Sequence, residues 1–326
     1  MIRYILSRIA QSILVIFLTY TFVFVLLNVL PSDPISLRFS EIATPGSEDY
    51  ERLSSYYGYD QPLWVQYFTQ LGQLVLGNLG YSLENGAPVL ERITGALPST
   101  IALTGLTLVI AVIAALLAGL LAFSRWGTWV VTLVRSIPPI TSALPVYWTG
   151  IVFIQVGSYQ LGLFAALGTD GFPALLAASI SLAIPISAAI TQAFVSSIGE
   201  FVSSPFVEVA TARGASNLDI FTRYGIRAVA IPTLTVIAIT FGTLMTSTIV
   251  TETVFARSGV GSLVQRAVLS QDIPVVQGIV LFAAVLFITV NLLVDLAALA
   301  IDPRLRAPAG RRARKAAVPT VAEAIA

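Results

Sequence analysis

The side chains that most often carry out chemistry are nearly missing from this sequence. It has no His and no Cys. That excludes disulfides, thiolate chemistry, most zinc and nickel sites and any Ser-His nucleophile. No G-x-x-x-x-G-K-[ST] pattern occurs, and the single Lys is Lys315, near the C-terminus. Energy from a nucleoside triphosphate would therefore have to come from a partner. Gly259 and Gly261 in "RSGVGS" have the glycine spacing of a phosphate loop, but no strand precedes them and the rest of that fingerprint is missing, so an external turn is the simpler reading. No catalytic residue, bound cofactor or metal ligand is expected in this chain.

The remaining candidates are ionisable and polar residues in or beside apolar runs. Glu252 and Asp295 lie near the ends of such runs. An ionisable group inside a membrane is a functional candidate by default. Either could form a gate or subunit contact, with Arg304 a partner for Asp295; the plainer alternative is that both reach water or cap neighbours. Thr149, Gln155, Ser181, Ser187, Thr191, Gln192, Thr243 and Thr246 are candidates to line a weakly binding path.

These residues need elements to hold them, and composition says which kind. Hydrophobic residues make up 56% of the 326 and charged residues 11%, against about 25% charged in an ordinary soluble domain. Mean hydropathy is +0.86. A core of this length cannot hide that much apolar side chain, so lipid is the solvent. Acids and bases nearly balance, which argues against a nucleic-acid partner. Six charge-free stretches are long enough to span: 9–32, 93–124, 136–169, 171–199, 228–251 and 273–294. A seventh, 61–83, carries Gln61, Gln66, Gln70 and Gln73 beside a stripe of Leu63, Tyr67, Leu71 and Leu74, and reads as an amphipathic surface or interfacial helix, not a span. Pro138, Pro139 and Pro145 should interrupt the third span, as happens where backbone lines a cavity or neighbours satisfy freed carbonyls.

Basic residues set the expected orientation. Arg3 and Arg8 open the chain, Arg125 and Arg135 follow the second span, and "DPRLRAPAGRRARK" has five Arg and one Lys. Residues 31–92 hold eight acids and three Arg. Both termini are thus expected in the cytoplasm of a multi-pass plasma-membrane protein, with the C-terminal tail an anchor on anionic lipid. The expected organisation is 1–30, N-terminus and first helix; 31–95, an extracytoplasmic insert; 96–300, helices two to six; and 301–326, a basic cytoplasmic tail.

By alternation the stretch "SSPFVEVATARGASNLDIFTRYG", residues 203–225, is cytoplasmic. Pro205 suits a first helical turn, with Ser204 able to cap it. Gly214 is a natural C-terminal stop. Ser216 with Asp219 resembles a capping box opening a second helix. Ala210 and Gly214 share a face where another backbone could approach closely. Spacing alone fits either a short helix seated in a partner's groove or a capped connection.

Residues 206–232, "FVEVATARGASNLDIFTRYGIRAVAIP", resemble the EAA motif of ABC importer permeases, with Glu208, Ala210, Ala212, Gly214 and Pro232 in matching places and Val209 replacing the middle Ala. "LPSDPISL", "YGYDQPLWVQYFTQLGQLVLGNLGYSLENGAPVLERI" and "ETVFARSGVGSLVQRAVLSQDIPVVQGIVLF" are similar to the B-subunit family of dipeptide/oligopeptide permeases. The resemblance runs from residue 1 to 306 and is weakest over 125–195. It implies an all-α fold of six transmembrane helices, the type I ABC importer permease fold, used as half of a membrane dimer with a second homologous permease. It also implies cytoplasmic ATPase subunits that hold ATP and Mg, an extracytoplasmic solute-binding protein, and docking on the ATPase through Glu208, Ala210, Thr211, Ala212, Arg213, Gly214 and Ala215, with Pro232 downstream. The cargo implied is peptide; a nickel chelate or other small solute, or an ion-coupled carrier, is the alternative.

The orientation is directly testable, because the chain has no Cys. A cysteine at Asn85 should react with an impermeant thiol reagent in intact cells. One at Ser216 or Ala313 should react only after permeabilisation. Labelling of Ser216 from outside would overturn the six-helix topology.

Overall fold

The computed structural model describes residues 2–29, 46–123, 128–165 and 171–301; Arg304 and the expected basic tail lie outside them. The described residues are overwhelmingly helical, and their sole extended pairing is an isolated bridge between Tyr81 and Pro88. In chain order the helices are α1 (Ile2–Val29), α2 (Glu48–Tyr57), α3 (Leu63–Val75), α4 (Val89–Phe123), α5 (Thr128–Ser142), α6 (Val146–Phe153), α7 (Phe172–Val202), α8 (Pro205–Ala212), α9 (Asn217–Ile220), α10 (Ile226–Val254), α11 (Val260–Leu269) and α12 (Ile273–Ile301).

Five of these helices, α1, α4, α7, α10 and α12, contain a stretch long and apolar enough to cross a bilayer. α7 is the central one: 61% of its span is buried, against 12–28% for the others. Ala111 and Ala115 of α4 meet Leu182, Ala183, Ile186 and Ile190 of α7 and Phe241 and Leu244 of α10. Small residues at such crossings let backbones approach, and that packing holds helices together where lipid removes the hydrophobic drive. Gly119 extends this logic. A Cβ there would lie 2.2 Å from the Phe194 ring.

The expected third span differs from a straight helix. α5 and α6 pass the length and hydropathy test only together, and they meet at 98°. Pro138 and Pro139 lie inside α5 without breaking it. Thr141 Oγ1 donates to the Ile137 and Pro138 carbonyls, and Ser142 Oγ to that of Pro139. The break comes at Pro145, the N-cap of α6, because proline lacks the N–H that would continue α5 and disfavours helical geometry in the residue before it. α5 also starts earlier than expected, so Arg135 sits on a helix rather than in a loop. Beyond α6 the helix widens into a π turn, Ile154–Gln160.

At the end of the bundle where α1 meets α3, a charged knot ties distant segments together. Asp272, between α11 and α12, accepts hydrogen bonds from Ser82 Oγ at 2.5 Å, Leu83 N at 3.0 Å and Arg92 Nη1 at 3.1 Å. Arg92 reaches Glu84 with Nη2 at 2.9 Å. Asp272 is fully buried, so its charge is tolerable only with these partners. Asp272→Ala should therefore leave the buried donors Ser82 Oγ and Leu83 N without their acceptor and Arg92 with Glu84 alone as counter-charge, and cost about 3 kcal/mol, read as a lower thermal midpoint in detergent. Ser82→Ala should cost about 1 kcal/mol. An unchanged midpoint for Asp272→Ala would show that the knot does not hold this end.

Candidate functional site

Three arrangements stand out: an exposed turn at one end of the bundle, polar stripes along two spans, and a buried carboxylate at the other end.

The turn begins where α7 stops at Val202. Pro205 occupies the first turn of α8, as expected. Ser204 stands at the N-cap but does not cap; its hydroxyl donates backwards to the Phe201 carbonyl at 2.6 Å. α8 ends as Gly214 predicts. Gly214 adopts φ +86°, its N–H bonds to the Thr211 carbonyl, and Ala215 N bonds to that of Ala210, which together make a Schellman stop. Ser216 Oγ then accepts from Asp219 N at 3.1 Å and donates to Asp219 Oδ2 at 2.6 Å, opening α9. A π turn, Phe221–Gly225, leads directly into α10. Gly225 is required there by closeness, since a Cβ would meet Phe221 at 2.5 Å and Phe201 at 2.8 Å.

Most of the turn faces outward. Glu208, Thr211, Ala212, Arg213, Gly214 and Ala215 are exposed, and Ala210 is half-buried. Phe206 and Tyr224 stack edge to face at 4.9 Å, and together with Val209, Ala210, Arg213 and Asp219 they line an open cleft of about 470 Å³. Pro232 is not part of this cluster; it lies inside α10.

The second arrangement is a contrast between faces. The outward face of α1 is apolar, with Ile13, Phe17, Leu18, Phe22 and Val25. Beyond Pro232 the exposed positions of α10 are Thr235, Ile239, Thr243, Thr246, Val250 and Thr253, a single stripe at helical spacing. On α7 they include Ala189, Gln192, Ser196, Glu200 and Ser203, again one stripe. Of the candidate path residues, Gln155, Gln192, Thr243 and Thr246 are exposed, whereas Thr149, Ser181 and Thr191 are buried and Ser187 is half-buried. The hydroxyls of Thr149, Ser181 and Ser187 donate to carbonyls of their own helices at 2.8 to 3.0 Å. Arg135 joins the α7 stripe. It borders a cleft of about 610 Å³ with Thr191, Gln192, Ser196 and Glu200. Its place beside Gly199 comes from tertiary packing, which the sequence reading as a loop residue did not anticipate.

The third arrangement surrounds Glu252, which is 0% exposed. Its Oε1 accepts from Thr100 Oγ1 at 2.6 Å and its Oε2 from Ser262 N at 3.1 Å. Val260 N donates to Thr100 Oγ1 at 2.8 Å. The carboxylate thus caps the N-terminus of α11, where helix N–H groups favour an acceptor. Gly259 and Gly261 are not merely a turn. A Cβ at Gly259 would fall 2.0 Å from Oε1, and one at Gly261 2.6 Å from Ile249 Cα. The sequence shows Gly259 and Gly261 as a turn and Glu252 as an ionisable group, but does not connect them. Arg257 N closes the loop onto the Glu252 carbonyl at 2.8 Å. The Arg257 guanidinium is buried and reaches Ser99 Oγ at 3.3 Å. Asp295 is placed on α12, and its side chain lies outside the described residues.

Known proteins share this sequence and architecture. Residues 108–307 match the family described as binding-protein-dependent transport system inner membrane component, and residues 1–104 match its N-terminal counterpart. The chain is 30% identical over 311 residues to the "Probable peptide ABC transporter permease protein y4tP" of Sinorhizobium fredii, covering 93% of this chain and 99% of that protein. It is 30% identical over 308 residues to the glutathione transport system permease protein GsiC of Escherichia coli K12, covering 94% and 99%. In fold it is similar to the membrane subunit in inward-facing structures of the MetNI methionine ABC transporter, with TM-score 0.54 and 17% identity over 65% of this chain and 97% of that one. Sequence along almost the whole chain and the helical architecture agree: this protein belongs to the family of membrane permease components of binding-protein-dependent ABC importers.

Proposed function

We propose that this chain forms half of a peptide path in an ATP-driven importer, paired with a second, homologous permease. One observation carries the reading: α10 exposes a threonine stripe, where the outward face of α1 is apolar. Thr235 and Thr246 donate their hydroxyl protons to the carbonyl four residues back, and Thr253 has both that carbonyl and Gln265 Oε1 at 2.8 Å as acceptors, so these three donors are satisfied and oxygen lone pairs remain to accept. Such a face suits a wet boundary shared with another subunit better than lipid. Its groups can hold a peptide weakly in passing. Nothing on the stripe carries the charge that would grip a terminus or chelate a metal. Selectivity then falls to an extracytoplasmic solute-binding protein. The relatives named for peptide and glutathione transport support this class of cargo.

In this reading the plasma membrane holds the chain with both termini in the cytoplasm, and residues 31–95 face the binding protein. The exposed turn around Gly214 docks on a cytoplasmic ABC ATPase, which holds ATP and Mg. The apolar residues Phe206, Val209 and Tyr224 supply contact area, and Glu208 and Arg213 supply orientation.

Gly214→Val should weaken ATPase docking and lower transport while leaving membrane insertion intact. A Cβ at Gly214 meets no atom within 4 Å, so the penalty is the left-handed backbone itself, about 1–2 kcal/mol. Glu208→Ala combined with Arg213→Ala should act in the same direction. Wild-type transport and ATPase stimulation at normal expression would reduce the segment to a plain connection.

Cargo is tested in vesicles, with and without the cognate binding protein, across neutral, acidic and basic peptides. Uptake should require the binding protein, and Thr243→Ala with Thr246→Ala should change the rate but not the order of preference. Tight, selective binding of one peptide by the permease–ATPase complex alone would overturn this reading.

A further inference from the structure

The helix α3 has three distinct faces. One packs on the bundle: Tyr67, Leu71 and Leu74 cover Tyr20, Phe24 and Leu281. The Tyr20 hydroxyl donates to the Tyr67 carbonyl at 2.8 Å, and Thr21 Oγ1 and the Tyr67 hydroxyl are 2.8 Å apart. A narrow polar edge holds Thr69 and Gln73, both exposed. The third face is apolar and uncovered, with Trp64 68%, Phe68 64% and Val75 80% exposed.

The depth of α3 follows from what it touches. The apolar span of α1 runs Ser7–Asn28 and that of α12 runs Ile273–Ala298. Tyr20 lies eight residues inside the first, and Leu281 eight residues inside the second. At 1.5 Å per residue both contacts sit about 12 Å below the ends of their spans. Since the hydrocarbon core is about 30 Å thick, two separate helices place the inner face of α3 well below the surface. The sequence permits this. Gln61 to Leu83 contains no Asp, Glu, Lys or Arg, and Gln66 is buried with its amide bonded to the Gln61 carbonyl at 2.8 Å. α2, with Glu48, Asp49, Glu51 and Arg52, is charged and exposed in contrast.

We infer that α3 is seated in the bilayer leaflet on its side of the bundle, with the Trp64–Phe68–Val75 face covered by lipid acyl chains. Phe17, Phe22 and Val25 of α1 are likewise apolar and exposed, and the polar edge of α3 then lies at the headgroups. The helix is then an anchor that fixes residues 46–88 to the membrane plane. This inference does not rest on the peptide reading or on the docking of α8.

Nitroxide labelling tests it in the full transporter complex reconstituted in phospholipid vesicles, since the chain has no Cys to remove. Single cysteines replace Trp64, Phe68 and Val75, with Ser55 on α2 as the aqueous control. Collision of each label with oxygen is compared with collision with a water-soluble nickel chelate. Oxygen should dominate at all three positions and the nickel chelate at Ser55, so the logarithm of the ratio changes sign between α3 and α2. Three independent positions keep the test valid if Trp64→Cys alone fails to fold. Nickel dominance on α3 would place the face in water. Low collision with both reagents would place it under another protein, the second permease or the binding protein. Either result overturns the inference.

Discussion

Inside a bilayer no water is available to pair with a polar group, and each one left alone costs several kcal/mol. The helices meet this demand locally: Thr104, Thr233 and Thr248 all donate to the carbonyl four residues earlier. Glu252 cannot meet it locally, because a carboxylate has two oxygens to satisfy and no helix supplies donors sideways. Its solution recruits Thr100 from α4 and the first N–H groups of α11. The buried carboxylate therefore dictates where three elements meet, and the two glycines follow because side chains at those positions would occupy its space.

Asp272 obeys the same rule by a different route. Its donors come from Ser82, Leu83 and Arg92, which precede it by 180 to 190 positions. Each buried acid thus pins a segment that would otherwise be an unsupported connection. Glu252 holds the entry to α11, and Asp272 holds the exit from it. α11 is consequently fastened at both ends, although it is too short to cross the membrane.

How far the sequence revealed this depends on whether an interaction is local. The exposed turn after α7 was legible almost residue by residue, since Pro205, Gly214, Ser216 and Asp219 act within a few positions of themselves. Ser204 was the exception. Its hydroxyl had two competing acceptor and donor groups in reach, and the Phe201 carbonyl won. The spans were legible because hydropathy reports burial in lipid directly. The bend between α5 and α6 was half legible: three prolines signalled an interruption, but only Pro145 makes it, while Pro138 and Pro139 are carried inside α5. The partners of Glu252 and Asp272 were not legible. Nothing in one chain pairs Thr100 with a residue 152 positions away.

α10 is where these strands of argument meet. At one end it continues without a loop from the π turn behind α8 and α9, held by the close packing of Gly225 on Phe201 and Phe221. At the other end its last turn carries Glu252. The threonine stripe runs between them on one face, over a helix of 29 residues, about 43 Å long. Gly242 packs against the Phe287 ring of α12, which holds the middle of the helix close to a neighbour. Past Pro232 no proline interrupts the i to i−4 ladder, so the length bearing the stripe has few means of bending. A displacement imposed at α8 is therefore absorbed near Gly225 and Pro232 or carried along α10 as a whole. In the second case the stripe and the Glu252 latch move together, because they stand on the same rigid element.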